Sequence, residues 1–255
     1  MTALSSMDDY ITRAGDGYIV TRNFSVEVGA TTSTLYTGQL LAWQLSPIIY
    51  KVETMPTGVT AFKLTNATLY NSNVTSAFLV KLVNLGNFNI GTQVYTDGST
   101  MPTVTEGAVS RRVYGGILMA VTTAFDAVAA SFTITYRDQD NNIAPVSPAM
   151  AKTVSAVVGT AGFATLNTGD YGATDISGAA RTSGTGAGVV TFYGVVPLGT
   201  FGPLMQNSAT AMQVNNLTAT PCPPILDAND EIYILQPGTA GKRYFGTLTF
   251  IGDQA

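Results

Sequence analysis

The stretch Ser131-Phe132-Thr133-Ile134-Thr135-Tyr136-Arg137 decides the fold class of this chain. Large apolar side chains alternate with polar ones along its whole length. Alternation with a period of two predicts a β-strand that buries Phe132, Ile134 and Tyr136 on one face. The polar residues then face solvent, as in an antiparallel sheet that is covered on one side only.

Similar segments, bounded by Gly, Pro, Asn and Asp, recur along the chain. Further strands are predicted at 18–28, 59–70, 77–84, 112–121, 152–158, 188–196, 211–219, 231–235 and 244–251. Helix signals are weak, because Val, Ile, Thr and Tyr dominate the ordered stretches and glycine recurs too often. We therefore predict an all-β fold, an antiparallel β-sandwich or jelly roll, with at most a short N-terminal helix.

The length of 255 residues suits one large β domain. Residues 17–255 are predicted to form a single β-sandwich or jelly-roll body, and a division near 105–110 into two β subdomains is the alternative. Residues 1–16 are predicted to form an N-terminal arm or a short helix, since Ser5 or Ser6 can cap one and Asp8-Asp9 suit its first turn.

Three connections stand out by composition. The stretches 86–108 and 159–188 are rich in Gly, Thr and Asn and are predicted to be long loops. The Ala-rich stretch 122–130 is predicted to connect two strands.

The chain contains no histidine and a single cysteine, Cys222. Without imidazole, the commonest general base and metal ligand is missing. Ser-His-Asp and Cys-His sites are excluded by residue type, and one cysteine cannot form a disulfide within the chain. We therefore expect no enzymatic activity and no cofactor. Glycan hydrolysis by two carboxylates, which needs no histidine, stays open as a further alternative.

Charge is scarce and slightly negative, with 12 basic against 16 acidic residues and a formal net charge of -4. Nucleic-acid binding is not expected, because it needs clustered cations. The sequence predicts neither a membrane span nor a signal peptide. A surface with so few charges is prone to association, so part of it is expected to be buried against other chains.

One loop carries oxygen ligands of the kind that calcium prefers. Asp138, Asp140 and Asn142 are calcium candidates, although Ile143 and Ala149 stand where a helix-loop-helix calcium motif needs Gly and Glu. The alternative is a polar turn that closes the strand 131–137.

Aromatic residues give two hypotheses about binding. Tyr233, Tyr244 and Phe245 are candidate anchors of a protein interface. Tyr171 and Tyr193 are candidate sugar contacts, because an exposed tyrosine ring can stack on a saccharide.

The C-terminal stretch resembles trimeric jelly-roll heads of the tumour-necrosis-factor and complement-head type. The resemblance rests on Ile225-Leu226-Asp227-Ala228-Asn229-Asp230-Glu231-Ile232-Tyr233-Ile234 and on Tyr244-Phe245-Gly246-Thr247-Leu248-Thr249-Phe250. In those families a Gly-Asp turn precedes a strand, and Asn229 replaces that glycine here. The resemblance implies a jelly roll and a trimer.

A second resemblance is to bacteriophage virion proteins of the capsid decoration, cement or head-fibre type. Its basis is the histidine-free, charge-poor composition, the stretch 131–142 and the repeated Gly-Thr loops. It implies a non-enzymatic structural protein made in the host cytoplasm. Such a protein would assemble as a homo-oligomer with the major capsid protein or other virion proteins and stabilise the particle. A glycan- or receptor-binding fibre or spike module, and a major capsid subunit, are the alternatives.

Overall fold

The computed structural model contains only β-strands and turns in the part of the chain that it describes. It describes residues 19–27, 47–54, 61–71, 75–106, 109–152, 154–204, 209–213, 226–227, 231–237 and 243–253. The predicted N-terminal segment 1–16 lies outside these residues.

The strands are numbered in chain order. The first nine are β1 Ile19–Glu27, β2 Pro47–Thr54, β3 Ala61–Asn71, β4 Thr75–Asn89, β5 Val94–Asp97, β6 Thr103–Glu106, β7 Val109–Arg112, β8 Ile117–Thr123 and β9 Ala130–Asp138. The others are β10 Ile143–Val146, β11 Met150–Ala151, β12 Ala161–Phe163, β13 Ala173–Gly184, β14 Val189–Leu204, β15 Ala209–Gln213, β16 Leu226–Asp227, β17 Glu231–Pro237 and β18 Arg243–Asp253.

These strands form antiparallel sheets. A seven-stranded sheet has the order β12-β8-β14-β4-β17-β2, with β5 paired to β4. A four-stranded sheet has the order β10-β9-β11, with β13 also paired to β9. A five-stranded sheet has the order β1-β18-β3-β15, with β16 paired to β3, and β6 pairs with β7 alone.

The main core lies between the seven-stranded and the four-stranded sheets. Phe132 of β9 contacts Phe88 of β4 and Phe192 of β14, with ring centroids 6.0 and 6.4 Å apart. All three side chains are fully buried. Two antiparallel sheets packed face to face over such a core are consistent with a β-sandwich, so the predicted all-β fold class is confirmed, while the jelly-roll strand order stays a prediction.

A second cluster covers the opposite face of the seven-stranded sheet. Along β8, Met119 and Val121 belong to the main core, whereas Leu118 and Ala120 belong to the second cluster with Val80 and Tyr233. A strand buried on both faces reads as a continuous apolar run. This is why β8 shows no alternation.

The strand predicted at 131–137 is confirmed as part of β9. Phe132, Ile134 and Tyr136 are fully buried, and the residues between them are intermediate in exposure. Their partial burial is explained by the neighbours β10, β11 and β13, which pair with β9 along its length.

Several predicted boundaries are wrong. Residues 154–158 are not a strand but lie in turns. The predicted strand 112–121 is divided, since β7 ends at Arg112 and β8 begins at Ile117. The strand β2 was not predicted, and the part of 211–219 beyond Gln213 lies outside the described residues.

The two predicted long loops also contain strands. The stretch 86–108 includes the end of β4, all of β5 and β6, and 159–188 includes β12 and β13. β13 was missed because its pairing with β9 shifts register three times. Each shift breaks the period-two pattern by which a strand is recognised in a sequence. The stretch 122–130 is a connection, as predicted, between the end of β8 and the start of β9.

The division of the chain into residues 1–16 and 17–255, with the alternative boundary near 105–110, stays a prediction.

Candidate functional site

Two groups of described loops lie at opposite ends of β9; one exposes valines, and the other exposes tyrosines and Ile143. One end holds the β8–β9 connection and the turns 154–160. The other end holds the turn after β9 and the segment before β13. Since a strand advances about 3.3 Å per residue, β9 separates the two ends by about 25 Å.

The first end exposes four valines. We call Val128, Val154, Val157 and Val158 the valine surface; they are 45%, 49%, 54% and 61% exposed. Two backbone hydrogen bonds join the loops that carry them. Phe125 donates to the carbonyl of Ala156, and Ser155 donates to the carbonyl of Asp126, both at 2.8 Å.

A buried lysine holds these loops together. The Lys152 side chain is fully buried and forms an ion pair with Asp126. Its Nζ also donates to the carbonyl oxygens of Asp126 at 3.2 Å and Ala187 at 3.4 Å, and lies 5.3 Å from the Phe125 ring centroid. A buried ammonium needs such a set of acceptors, because its desolvation is costly.

The carboxylate of Asp126 also has a full set of hydrogen-bond donors. Besides Lys152, it accepts from the main-chain N–H groups of Ala187 at 2.8 Å and Val128 at 3.2 Å. The Lys152 hydrogen bond, helped by these donors, holds the pKa of Asp126 below its usual range. The valine surface therefore rests on three connected loops whose shape is fixed.

Glycine allows the third loop to come this close. Gly188 has a φ of +121°, and a Cβ there would lie 2.3 Å from Cδ1 of Phe125. Position 188 therefore cannot accept a side chain without separating the loops.

The second end exposes two tyrosines in contact with each other. We call Tyr114 and Tyr171 the tyrosine pair; they are 45% and 67% exposed. Their ring centroids are 5.6 Å apart with an interplanar angle of 75°, the edge-to-face arrangement that aromatic rings prefer. A Cβ at Gly172 would lie 2.9 Å from Cδ2 of Tyr114, so this contact also depends on a glycine.

The calcium candidates lie in the turn at this same end. Asp138 is buried, and its Oδ1 accepts from the main-chain N–H groups of Asp140 at 2.9 Å and Asn142 at 2.8 Å. Its Oδ2 accepts from the Asn142 amide at 2.7 Å. Burial opposes ionisation of Asp138, but these donors outweigh it and hold its pKa below the usual range.

The carboxylates of this turn accept hydrogen bonds from neighbouring groups of the same turn. The Asp138 carboxylate faces N–H donors, and the Asp140 carboxylate accepts from the Gln139 amide at 3.1 Å. Among the described residues, no group of three or more Cys, Asp and Glu side chains is close enough to hold a metal ion. Calcium binding by Asp138, Asp140 and Asn142 stays a prediction.

The predicted interface anchors are only partly described. Tyr233 lies in β17, is 7% exposed and belongs to the second core cluster, which leaves little of it for a partner. Tyr244 and Phe245 lie in β18, opposite Val26 and Ser25 of β1, and their side chains fall outside the described part. An interface role for these three residues stays a prediction.

The two predicted sugar contacts differ in exposure. Tyr171 is the most exposed aromatic side chain among the described residues, whereas Tyr193 is half-buried and packs against the second core cluster. Sequence reasoning missed Tyr114, because it fell inside the predicted strand 112–121. It missed the valine surface because 152–158 was interpreted as a strand. Val154, Val157 and Val158 do not follow the period-two spacing of a strand. This lack of alternation was the signal in the sequence that argued against a strand here.

Nothing in the described part of the chain forms a helix of the length and apolar character needed to cross a membrane.

Comparison with known proteins gives no family. No protein-family description and no curated protein matches the chain. Among solved structures, it is matched to VP2 of infectious bursal disease virus. A VP2 mutant in T=1 particles is 8% identical, with 93% of this chain and 78% of that chain covered and a TM-score of 0.19. A VP2 subviral particle is 9% identical, with 93% and 81% covered and a TM-score of 0.18. At these values the likeness to a viral capsid protein carries no argument about this chain.

Proposed function

We propose that this chain is a non-enzymatic structural subunit of a virus particle, of the bacteriophage decoration or cement type. It would assemble as a homo-oligomer, a trimer, with the major capsid protein or other virion proteins as further partners. Its role would be mechanical, since contacts made only by folded subunits stabilise an assembly by mass action.

The observation that carries this proposal is the valine surface. Four valines exposed together on loops of fixed shape cost free energy in water. Contiguous exposed apolar groups mark interaction sites more often than scattered ones do, and these four valines lie on loops that are hydrogen-bonded to one another. The Lys152–Asp126 ion pair keeps the loops in one arrangement, which lowers the entropy lost when a partner binds.

The low charge of the chain supports the same interpretation. Only 11% of its residues are charged, and the centre of a protein interface is depleted in charge. A stable interface buries about 800 Å² on each partner. The valine surface would be its centre, and the polar residues of the same loops would form its rim.

The test is the molar mass of the purified chain, measured by light scattering during gel filtration. We expect the wild type to elute at three times the 26.6 kDa of one chain. Val157→Asp combined with Val158→Asp should shift it to the monomer, because two carboxylates would be buried at the interface.

Ile143→Asp is the matched control. Ile143 is 71% exposed but lies at the opposite end of β9, so this variant should keep the wild-type mass. A monomeric wild type, or a valine variant that stays oligomeric, would refute the proposal. Electron microscopy of the same peak separates the alternatives, since a major capsid subunit would form closed shells and a decoration protein would not.

A further inference from the structure

The tyrosine pair lies about 25 Å from the valine surface, along β9. The proposed assembly therefore leaves it uncovered. Exposed aromatic rings cost free energy in water unless a ligand covers them. Among the tyrosines whose side chains the structure describes, only Tyr114, at 45%, and Tyr171, at 67%, are more than one third exposed.

Backbone hydrogen bonds hold the two rings in place. Gly115, next to Tyr114, donates to the carbonyl of Ala173 at 3.1 Å, and Ala173 donates back to Gly115 at 2.9 Å. The main-chain N–H of Tyr171 donates to Oε1 of Gln139 at 3.2 Å. Since both segments are fixed, ligand binding would not have to order them.

The Tyr136 hydroxyl also holds the segment that carries Tyr171 in place. It donates to the Asp170 carboxylate and accepts from the main-chain N–H of Asn167 at 3.0 Å. Tyr136 itself is fully buried in the main core. The segment that presents Tyr171 is thus connected directly to the core of the sandwich.

The groups around the pair are polar, and the acidic Asp140 and Asp170 lie beside it, while the Arg137 guanidinium in the same turn donates to Oδ1 of Asn141 at 2.9 Å. Gln139 bridges the Tyr171 main chain and the Asp140 carboxylate. Loss of hydration, with the neighbouring Tyr114 and Asp140, raises the pKa of Tyr171 above 10. Carboxylates next to the rings disfavour an anionic ligand.

We propose that the tyrosine pair, with Gln139 and Asp140, is a binding site for a neutral saccharide. The ring face of Tyr171 would pack against the C–H face of a pyranose, as amphipathic aromatic rings do with ligands that are partly apolar. The Asp140 carboxylate would accept hydrogen bonds from its hydroxyl groups. This site would make the particle able to recognise a surface glycan, in addition to its structural role.

Binding to immobilised oligosaccharides tests the proposal. The probes are chitotetraose and maltotetraose as neutral saccharides and sialyllactose as an anionic one. We expect the wild type to bind a neutral probe and not the anionic one. Tyr171→Ala should weaken that binding at least about tenfold, since it removes the stacking ring, whereas Tyr171→Phe keeps the ring and should stay within about threefold of the wild type.

Circular dichroism and thermal melting of each variant test whether the fold is kept. We expect that it is, because Tyr171 is an exposed residue. The proposal is overturned if neither neutral probe binds, or if Tyr171→Ala binds as well as the wild type. Preference for sialyllactose over the neutral probes would also overturn it. The valine surface and its oligomer test are unaffected by any of these results.

Discussion

The Tyr136 hydroxyl links the buried core to the tyrosine pair. An isolated buried hydroxyl is costly, but this one has both a donor and an acceptor from the segment before β13. Burial raises the pKa of Tyr136 to about 12, with a further contribution from the Asp170 hydrogen bond. The hydroxyl therefore remains a donor to Asp170 at every physiological pH.

Tyr136→Phe should lower the free energy of unfolding by about 1–3 kcal/mol, because it leaves Asn167 and Asp170 without their partner. Urea denaturation measures this loss. The same variant should weaken saccharide binding, since the segment that presents Tyr171 loses its support.

Tyr95→Phe is the control for Tyr136→Phe. The Tyr95 hydroxyl donates to main-chain carbonyls of Leu85 at 2.6 Å and Ile176 at 2.9 Å, and not to the segment before β13. Tyr95→Phe should lower the free energy of unfolding by a similar amount and leave saccharide binding unchanged. If both variants weakened binding equally, the specific support by Tyr136 would be disproved.

Among the elements, β9 shows what the sequence could predict. Its alternation is regular because the strand crosses the main core without a bulge of its own. Its partner β13 was predicted as a loop, since its register shifts and its small residues erase the pattern. A strand with uninterrupted alternation can be predicted from its sequence. A strand whose pairing shifts register along its partner does not keep the alternation and is not predicted.

The same contrast applies to the candidate sites. Tyr171 was predicted as a sugar contact from its place in a Gly-rich stretch, and the structure exposes it. Its partner Tyr114 comes from a segment more than fifty residues earlier, and the Gly115–Ala173 pairing brings the two together. The polar turn at Asp138 was one of two alternatives, and the sequence could not decide between them because both use the same oxygens.

Two substitutions in β9 test its alternation. Ile134→Ala should lower the free energy of unfolding by about 2–5 kcal/mol, because it leaves a cavity at a fully buried position. Thr135→Ala changes the next residue, on the opposite face of β9, and should lower the free energy of unfolding by less than about 1 kcal/mol. Urea denaturation of both proteins measures the difference. Equal losses would mean that both faces of β9 are equally packed.

For the molecule as a whole, the absence of histidine affects the dependence of stability on pH. Among the described carboxyl groups, Asp126 and Asp138 make the fold less stable in acid, because their hydrogen bonds hold their pKa values below the usual range. Such groups stabilise the fold above their unfolded pKa of about 3.9, and this stabilisation is lost as the pH falls through the folded pKa. Asp175 acts in the opposite sense, since burial raises its pKa, and it offsets part of this loss.

Among the described residues, the buried tyrosines Tyr95 and Tyr136 make the fold less stable in alkali. The pKa of Tyr136 rises from 10 to about 12, and burial also raises that of Tyr95. A group whose folded pKa is raised contributes its full stabilisation below the unfolded pKa. That stabilisation is lost as the pH rises from about 10 through the folded value.

We therefore expect a plateau of stability between about pH 6 and 8, where the chain has no histidine to titrate. The urea midpoint, measured at each pH unit from about 2 to 11, should fall below about pH 4 and again above about pH 10. Asp138→Asn should reduce the acid loss, and Tyr136→Phe should reduce the alkaline loss, each without affecting the other. The oligomer mass should be constant across the same plateau, because the chain has no histidine to change charge there. A midpoint or an oligomer mass that changed sharply between pH 6 and 8 would contradict this expectation and require a carboxylate whose pKa is raised by several units.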